Sequence, residues 1–394
     1  MYFVTFILKN LTRRPIRTVL TVLGLAVAVG SMIALLGLSR NFRASLQGTF
    51  ELRRVDLVVI ASGAADQLSS ELPASVVEQV AAWPEIEAID AALVDLTKME
   101  IREARSADDV PPSRPVLVQA WRPDNFGFGD MEVITGRALA ESDTGHYRAM
   151  IGSSLAENLK KTTGDTLTIQ DSKFEIIGVF KTSSVYETGG VLTLLKDYQE
   201  VSGRKAVVTG FSVRVRKTSG DPDADVEAVR QKIKALTDES GKPLRLAAEK
   251  PQKYLDDAMH LKVTGAMAWM VSSIAILIGV ISMLNTMAMS VLERTQEIGI
   301  LRAVGWPRGR VIRMVLGEAV LLALAAAFFG TIIAVGGTHL MALSPRVSGF
   351  IEPGIPRSVI VMGTGITVLI GLIGGAYPAY RAARLLPTEA IRHD

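Results

Sequence analysis

The sequence predicts a membrane protein with four transmembrane α-helices and one extracytoplasmic α+β domain, built of β-α-β units and a β-rich insert. Three observations lead there. Charged residues make up only 21% of the 394 residues and hydrophobic ones 48%, whereas a soluble domain carries about 25% charge. Thr18–Leu38, Val263–Leu292, Ala319–Thr338 and Ser358–Tyr380 contain no Asp, Glu, Lys or Arg, and each is twenty or more residues long. A helix of that length crosses a hydrocarbon core about 30 Å thick. Between the first and second of these runs lie more than two hundred residues of mixed polarity, at 41–262.

At the start, Tyr2, Phe3, Phe6, Ile7 and Leu11 alternate with Lys9, Asn10, Arg13 and Arg14 before Pro15. Residues 1–17 therefore read as a cytoplasmic amphipathic helix lying in the membrane interface. The first span, 18–40, is longer than the apolar core of a secretory signal and is followed by no A-x-A-like cleavage site. Lys9, Arg13, Arg14 and Arg17 precede it; Arg294, Arg302, Arg308, Arg310 and Arg313 follow the second span; Arg381, Arg384 and Arg392 follow the fourth. The short external loop 342–357 holds only Arg346 and Arg357. The positive-inside rule then puts both termini and the loop after span two in the cytoplasm, and 41–262 outside.

The outside domain opens with a strand at 55–60, a helix over 73–83 with Val76, Val77 and Val80 on one face, and a strand from Ile89 to Ile101. The same order returns near its end. Phe211–Arg216 alternates as a half-buried strand does. Asp221-Pro222 supplies an N-cap and first-turn proline for a helix with Val226, Val229, Ile233 and Leu236 on one face, and Leu244–Leu246 is the expected closing strand. The middle holds a strand at 116–121 and a hairpin, Thr166–Gln170 then Phe174–Phe180, turning at Asp171-Ser172. Ser153 reads as the cap of a helix ending near Lys161, and the proline-bearing stretch 104–114 as a surface loop.

The second span, 263–292, exceeds what a bilayer needs. A stalk from about 252 would extend it into one rod, Gln252 to Leu292, about 60 Å long at 1.5 Å per residue; tilt or a kink is the ordinary alternative. Asn285 within it suits hydrogen bonding to a neighbouring helix. In the loop 293–312, Ile298, Leu301 and Val304 form an apolar line at helical spacing, flanked by Glu293, Arg294, Glu297 and Arg302, with Gly305 and Pro307 as a stop. Spans 313–341 and 358–380 and the tail 381–394 complete the chain.

Several chemistries are excluded. Without cysteine there is no disulfide, thiol nucleophile or thiolate-bound metal, and His146, His260, His339 and His393 are too scattered for a histidine metal site. The chain shows no nucleophile elbow, zincin or EF-hand signature. Adjacent acids such as Asp108/Asp109 and Asp256/Asp257 read as solvated surface. A net charge of +3 does not point to a polyanion.

The loop Glu293–Trp306, the tail Tyr377–Arg392 and the opening Asn10–Thr18 together resemble the permeases of the MacB/FtsX-like (type VII) ABC transporter superfamily. Ile134-Thr135-Gly136-Arg137, Ile151–Ala156 and Ile176–Phe180 resemble its periplasmic core domain. The resemblance implies a coupling helix that sits on an ATPase subunit through Glu293, Arg294, Glu297, Ile298, Gly299, Leu301, Arg302 and Gly305. Glu318 falls where that family commonly has an acid, and snorkelling to the interface is as good an account of it as a function.

No G-x-x-x-x-G-K-[ST] phosphate loop is present, so the resemblance implies no cofactor and no catalytic or metal site in this chain. ATP and Mg would be bound by a separate ABC ATPase subunit in two copies. A second permease copy, in a homodimer or heterodimer, would complete the assembly in a bacterial inner membrane. A periplasmic membrane-fusion adaptor and outer-membrane channel are further implied partners; nucleic acid is not. The implied function is MacB-like extrusion or release of substrate by ATP-driven motion passed to the periplasmic domain. The alternatives are a lipoprotein-releasing permease or an FtsX-like regulator of cell-wall hydrolases.

Overall fold

The computed structural model describes residues 15–100, 113–238, 240–343 and 354–385. Residues 1–14 of the expected interfacial helix 1–17, most of the 104–114 loop, most of the external loop and the end of the tail lie outside these; residues 15–17 belong to the first membrane helix. The chain divides into two compact units, one comprising 42–263 with 341–352, the other the remainder.

The helix α1 runs over Pro15–Leu52 and carries the chain into the first unit. There follow β1 (Leu57–Ala61), β2 (Leu72–Pro73), α2 (Ala74–Ala81), β3 (Ile86–Glu100), β4 (Ser113–Trp121), β5 (Glu132–Gly136), β6 (Arg148–Gly152), α3 (Ser153–Leu159), β7 (Thr166–Ile169), β8 (Ser172–Lys181), α4 (Val185–Thr188), β9 (Val191–Leu194), α5 (Leu195–Val201), β10 (Val207–Val208), β11 (Gly210–Val215), α6 (Pro222–Lys234) and β12 (Leu246–Glu249).

The two β-α-β units are interleaved. In the order β12-β1-β11-β3, every neighbouring pair is antiparallel. Strand β11 therefore sits between the two strands of the first unit, the split β-α-β arrangement of ferredoxin-like folds. Val76, Val77 and Val80 of α2 and Val226, Val229 and Ile233 of α6 are all buried in the common core. Asp221 caps α6, accepting from the backbone N–H groups of Asp223 and Ala224.

The insert closes on itself. Strand β3 pairs with β4, then β9, β6, β8 and β7 follow, and Ile169 of β7 pairs back onto Met99 of β3. Val116 and Val118, Leu167 and Ile169, and Phe174 and Ile176, each pair two residues apart, are fully buried in the common core, as side chains lining the inside of a small barrel must be, while Leu117 on the other face is buried in a separate cluster.

Several expected details differ. The hairpin turns at Gln170-Asp171, both at positive φ, because the ladder keeps Ser172 paired with Ile169. Ser153 is not a cap: Gly152 holds that position and no side chain caps α3. The closing strand begins at Leu246, since Arg245 takes a positive φ and its carbonyl accepts from Ser62 N–H.

Gly136, in the stretch that resembles the periplasmic core family, has φ +78, and a Cβ there would lie 2.1 Å from the Ile177 carbonyl oxygen. Only glycine fits. Next to it, Arg137 donates to both carboxylate oxygens of Asp143 at 2.6 and 2.7 Å, and Arg148 adds a third bond at 2.6 Å.

The single rod from Gln252 is interrupted. α7 (Pro251–Asp257) stops at Ala258, whose ψ of 114° is not helical, and α8 runs from Met259 to Glu293. The Met259 N–H bonds the Ala65 carbonyl instead of continuing the helix.

The second unit holds α8, α9 (Thr295–Ala303), α10 (Arg308–Ala342), α11 (Arg357–Ala383) and the first part of α1. Helices α1, α8, α10 and α11 are long and apolar enough to cross a membrane. Small residues set their packing: at the crossing of α1 and α10, a Cβ on Gly30 would lie 2.8 Å from the Gly330 carbonyl oxygen. Close backbone approach through small residues is how helices associate without a hydrophobic drive.

Candidate functional site

The charged loop after the second span folds as the short helix α9, fixed at both ends. At its start, Thr295 Oγ1 donates to the Leu292 carbonyl at 2.7 Å. At its end, Gly305 at φ +103 follows the last helical turn. Its N–H bonds the Arg302 carbonyl, and the Trp306 N–H bonds the Leu301 carbonyl. This is a Schellman stop, which satisfies the last carbonyls and requires a left-handed residue.

Two ion pairs bolt the approach to this helix. Glu293 accepts both Nη groups of Arg17, from the start of α1. Arg294 Nη1 donates to Glu318 Oε1 of α10 at 2.8 Å, with side-chain exposures of 16% and 5%. A carboxylate this buried needs such a partner, and Glu318 does not snorkel. Sequence reasoning named Glu293 and Arg294 but missed Arg17 and Glu318 as their counterparts. The signal available was Glu318 itself, an acid just inside an uncharged run, where ionisable groups pair inward.

The eight residues of the expected contact divide into two sets. Ile298 and Gly299 are buried and Leu301 half-buried, packed in the core of the helical unit. Arg302 donates to the Trp306 carbonyl at 3.3 Å, so it braces the stop. The apolar line splits accordingly: Ile298 is 2% exposed, whereas Val304 is 78% exposed and Ile300, off that line, 50%. The open face consists of Gln296, Glu297, Ile300, Ala303, Val304 and Gly305. An apolar pair rimmed by polar side chains on a rigidly held helix can dock into a groove of another protein.

Asn285 of α8 is exposed. It lies in register with Met267, Val271, Ile274, Ile278 and Ile281, all exposed, at alternating four- and three-residue steps. That alternation is the spacing by which a helix can pair left-handedly with another, with one polar position. Among the described residues no group of His, Asp or Glu is placed to hold a metal ion.

A family model described as the MacB-like periplasmic core domain matches residues 18–236, and one described as the FtsX-like permease C-terminal matches 269–387. The chain is 25% identical to the ABC transporter permease YknZ of Bacillus subtilis, over 98% of each chain. It is 22% identical to the macrolide export ATP-binding/permease protein MacB of Bdellovibrio bacteriovorus, over 98% of this chain and 61% of that longer one. The crystal structure of the periplasmic region of MacB from Actinobacillus actinomycetemcomitans aligns at a TM-score of 0.41 and 12% identity, over 51% of this chain and 92% of that one.

Proposed function

Because the chain belongs to the MacB/FtsX-like (type VII) ABC transporter permeases, we propose that it is the non-catalytic membrane subunit through which a separate ABC ATPase drives an extracytoplasmic domain. The ATPase, in two copies, binds ATP and Mg; this chain supplies the contact and the moving part. Both termini and α9 lie in the cytoplasm of a bacterial inner-membrane protein, and the β-rich unit lies outside. The motion extrudes or releases a substrate, with a periplasmic adaptor and outer-membrane channel as further partners where an outer membrane exists.

The observation that carries this reading is the division of labour in α9. Two ion pairs and a buried Ile298 hold the helix to its own unit, while Glu297, Ile300 and Val304 face outward. Of the eight candidate residues, Glu297 and Gly305 fall on the contact face; Glu293, Arg294, Ile298, Gly299, Leu301 and Arg302 hold it in place. Purification of the tagged chain from native membranes tests it. The wild type brings down an ATPase subunit, and Glu297→Lys with Val304→Glu lowers recovery about tenfold, the effect of losing roughly 1.4 kcal/mol of contact. Equal recovery would remove α9 from the interface.

The same reading calls for two permease copies, and the α8 seam is where they would pair. Asn285 then hydrogen-bonds its counterpart. Such bonds contribute about 0.6–2 kcal/mol in a membrane, so Asn285→Leu should weaken the dimer three- to thirtyfold, measured by energy transfer between labelled copies in liposomes. An unchanged dimer would place the seam against lipid.

A further inference from the structure

The extracytoplasmic unit contains a cavity of about 300 Å³ that the coupling reading does not use. Its wall is one face of α1, Phe42, Leu46 and Phe50 at four-residue steps, completed by Tyr254 and Leu68. This wall begins two residues after Arg40, the charge that ends the first apolar stretch. Its floor is charged. Arg53 forks onto Glu187 at 2.8 and 2.9 Å, reaches Asp130 at 3.0 Å and stacks over Trp121 at 5.1 Å.

In that set one guanidinium, five-donor and planar, stands between two carboxylates, so the set is itself one charge negative. Asp90 of β3 adds a further acid outside it. It lines the same cavity and is 9% exposed. The Asn125 amide donates to it, and among the described residues it makes no ion pair. A carboxylate out of water with one neutral donor is costly. Consistently, burial pushes the Asp90 carboxyl up to about 6; Arg53 opposes the shift and Glu187 adds to it.

We infer that this cavity binds an organic cation with an aromatic or branched apolar body, seated on Phe42, Leu46 and Phe50 with its ammonium group on Asp90. The apolar wall supplies area, as ligand pockets do, and Asp90, beside a set already one charge negative, sets orientation and sign. Ring faces next to an ammonium add cation–π attraction. An anionic amphiphile would meet three acids, Asp90, Glu187 and Asp66, against His260 and an Arg53 that Glu187 and Asp130 already hold. A plain acyl chain would desolvate Asp90 further with nothing in return. The site needs no ATPase, so this inference and the coupling reading fail separately.

The test is calorimetric titration of the full chain in detergent with benzyltrimethylammonium, and with phenylmethanesulfonate as its charge-reversed counterpart, each against a detergent blank. The ammonium should bind and the sulfonate should not. Asp90→Asn, which keeps the Asn125 bond, should weaken ammonium binding about tenfold or more, the range of one charge-assisted contact. Leu46→Trp should abolish binding by filling the wall. Equal binding of both probes, an unchanged affinity in Asp90→Asn, or no heat from the ammonium at millimolar concentration would overturn the assignment and leave Asp90 a structural group.

Discussion

Replacing Glu318 by leucine is expected to cost the membrane unit about 3–5 kcal/mol, because it takes away the buried carboxylate that the half-buried Arg294 guanidinium bonds. Arg294 is only 16% exposed in its side chain and gives its Nη1 to Glu318 at 2.8 Å. Water cannot take over that bond without opening the packing around Met314, Val315 and Ala319, all buried nearby on α10. The strained end of the structure is then the start of α9, so ATP turnover stimulated by the chain should fall along with its thermal stability. The double variant Arg294→Leu/Glu318→Leu separates the two effects. Removing both charges from an apolar site is neutral or stabilising in general, so stability should return. If Glu318→Leu alone unfolds no more readily than wild type, the pair is not the bolt it is taken to be.

The second large effect concerns Asp143 in the extracytoplasmic unit. Its carboxylate is fully buried and takes two bonds from Arg137, one from Arg148 and one from the Ala140 N–H. Hydrogen bonding from Arg137, then from Arg148 and the Ala140 N–H, holds the carboxyl well below the usual carboxylate range. An unfolded aspartate titrates near pH 3.9. The folded group is depressed, so its contribution is fully present above the unfolded value and is lost as pH falls through the folded one. Asp143→Asn should cost about 3 kcal/mol near neutrality, as loss of bonds to charged donors does. The gap between wild type and variant in urea midpoint should close as pH drops below about 4. A gap that is constant down to pH 2 would mean the carboxylate charge does not matter.

How much of this was readable beforehand follows from the range of each interaction. The four membrane helices were, because a long uncharged run is a local property and the bilayer imposes a fixed length. So were the buried faces of α2 and α6, where Val76, Val77 and Val80 or Val226, Val229 and Ile233 repeat at helical spacing. The sheet was readable as strands but not as an order: nothing local in Phe211–Val215 says that it lies between β1 and β3. Closure of the barrel through Met99 and Ile169 is likewise a long-range pairing.

The same limit applies to the sites. The α9 loop announced itself by its charges, yet which side of it faces in depends on tertiary packing, and so Val304 ended outside while Ile298 ended inside. Arg17 and Glu293 are separated by most of the chain, and their pairing has no local signature. The break at Ala258 also escaped, since its cause is the Ala65 carbonyl almost two hundred residues earlier. The cavity over Asp90 assembles residues from α1, β3, β4 and α7, no two of which a sequence pattern would join.

The absence of cysteine allows the most direct test of the central claim, that the open face of α9 is where an ATPase engages. With Val304→Cys as the sole thiol, a short heterobifunctional crosslinker applied to native membranes should join the chain to one nucleotide-binding subunit. Ile298→Cys, buried in the helical unit, should give no such product, and ATP should change the yield at 304. A position 304 that captures no nucleotide-binding protein, while the chain remains folded and in the membrane, would contradict the account.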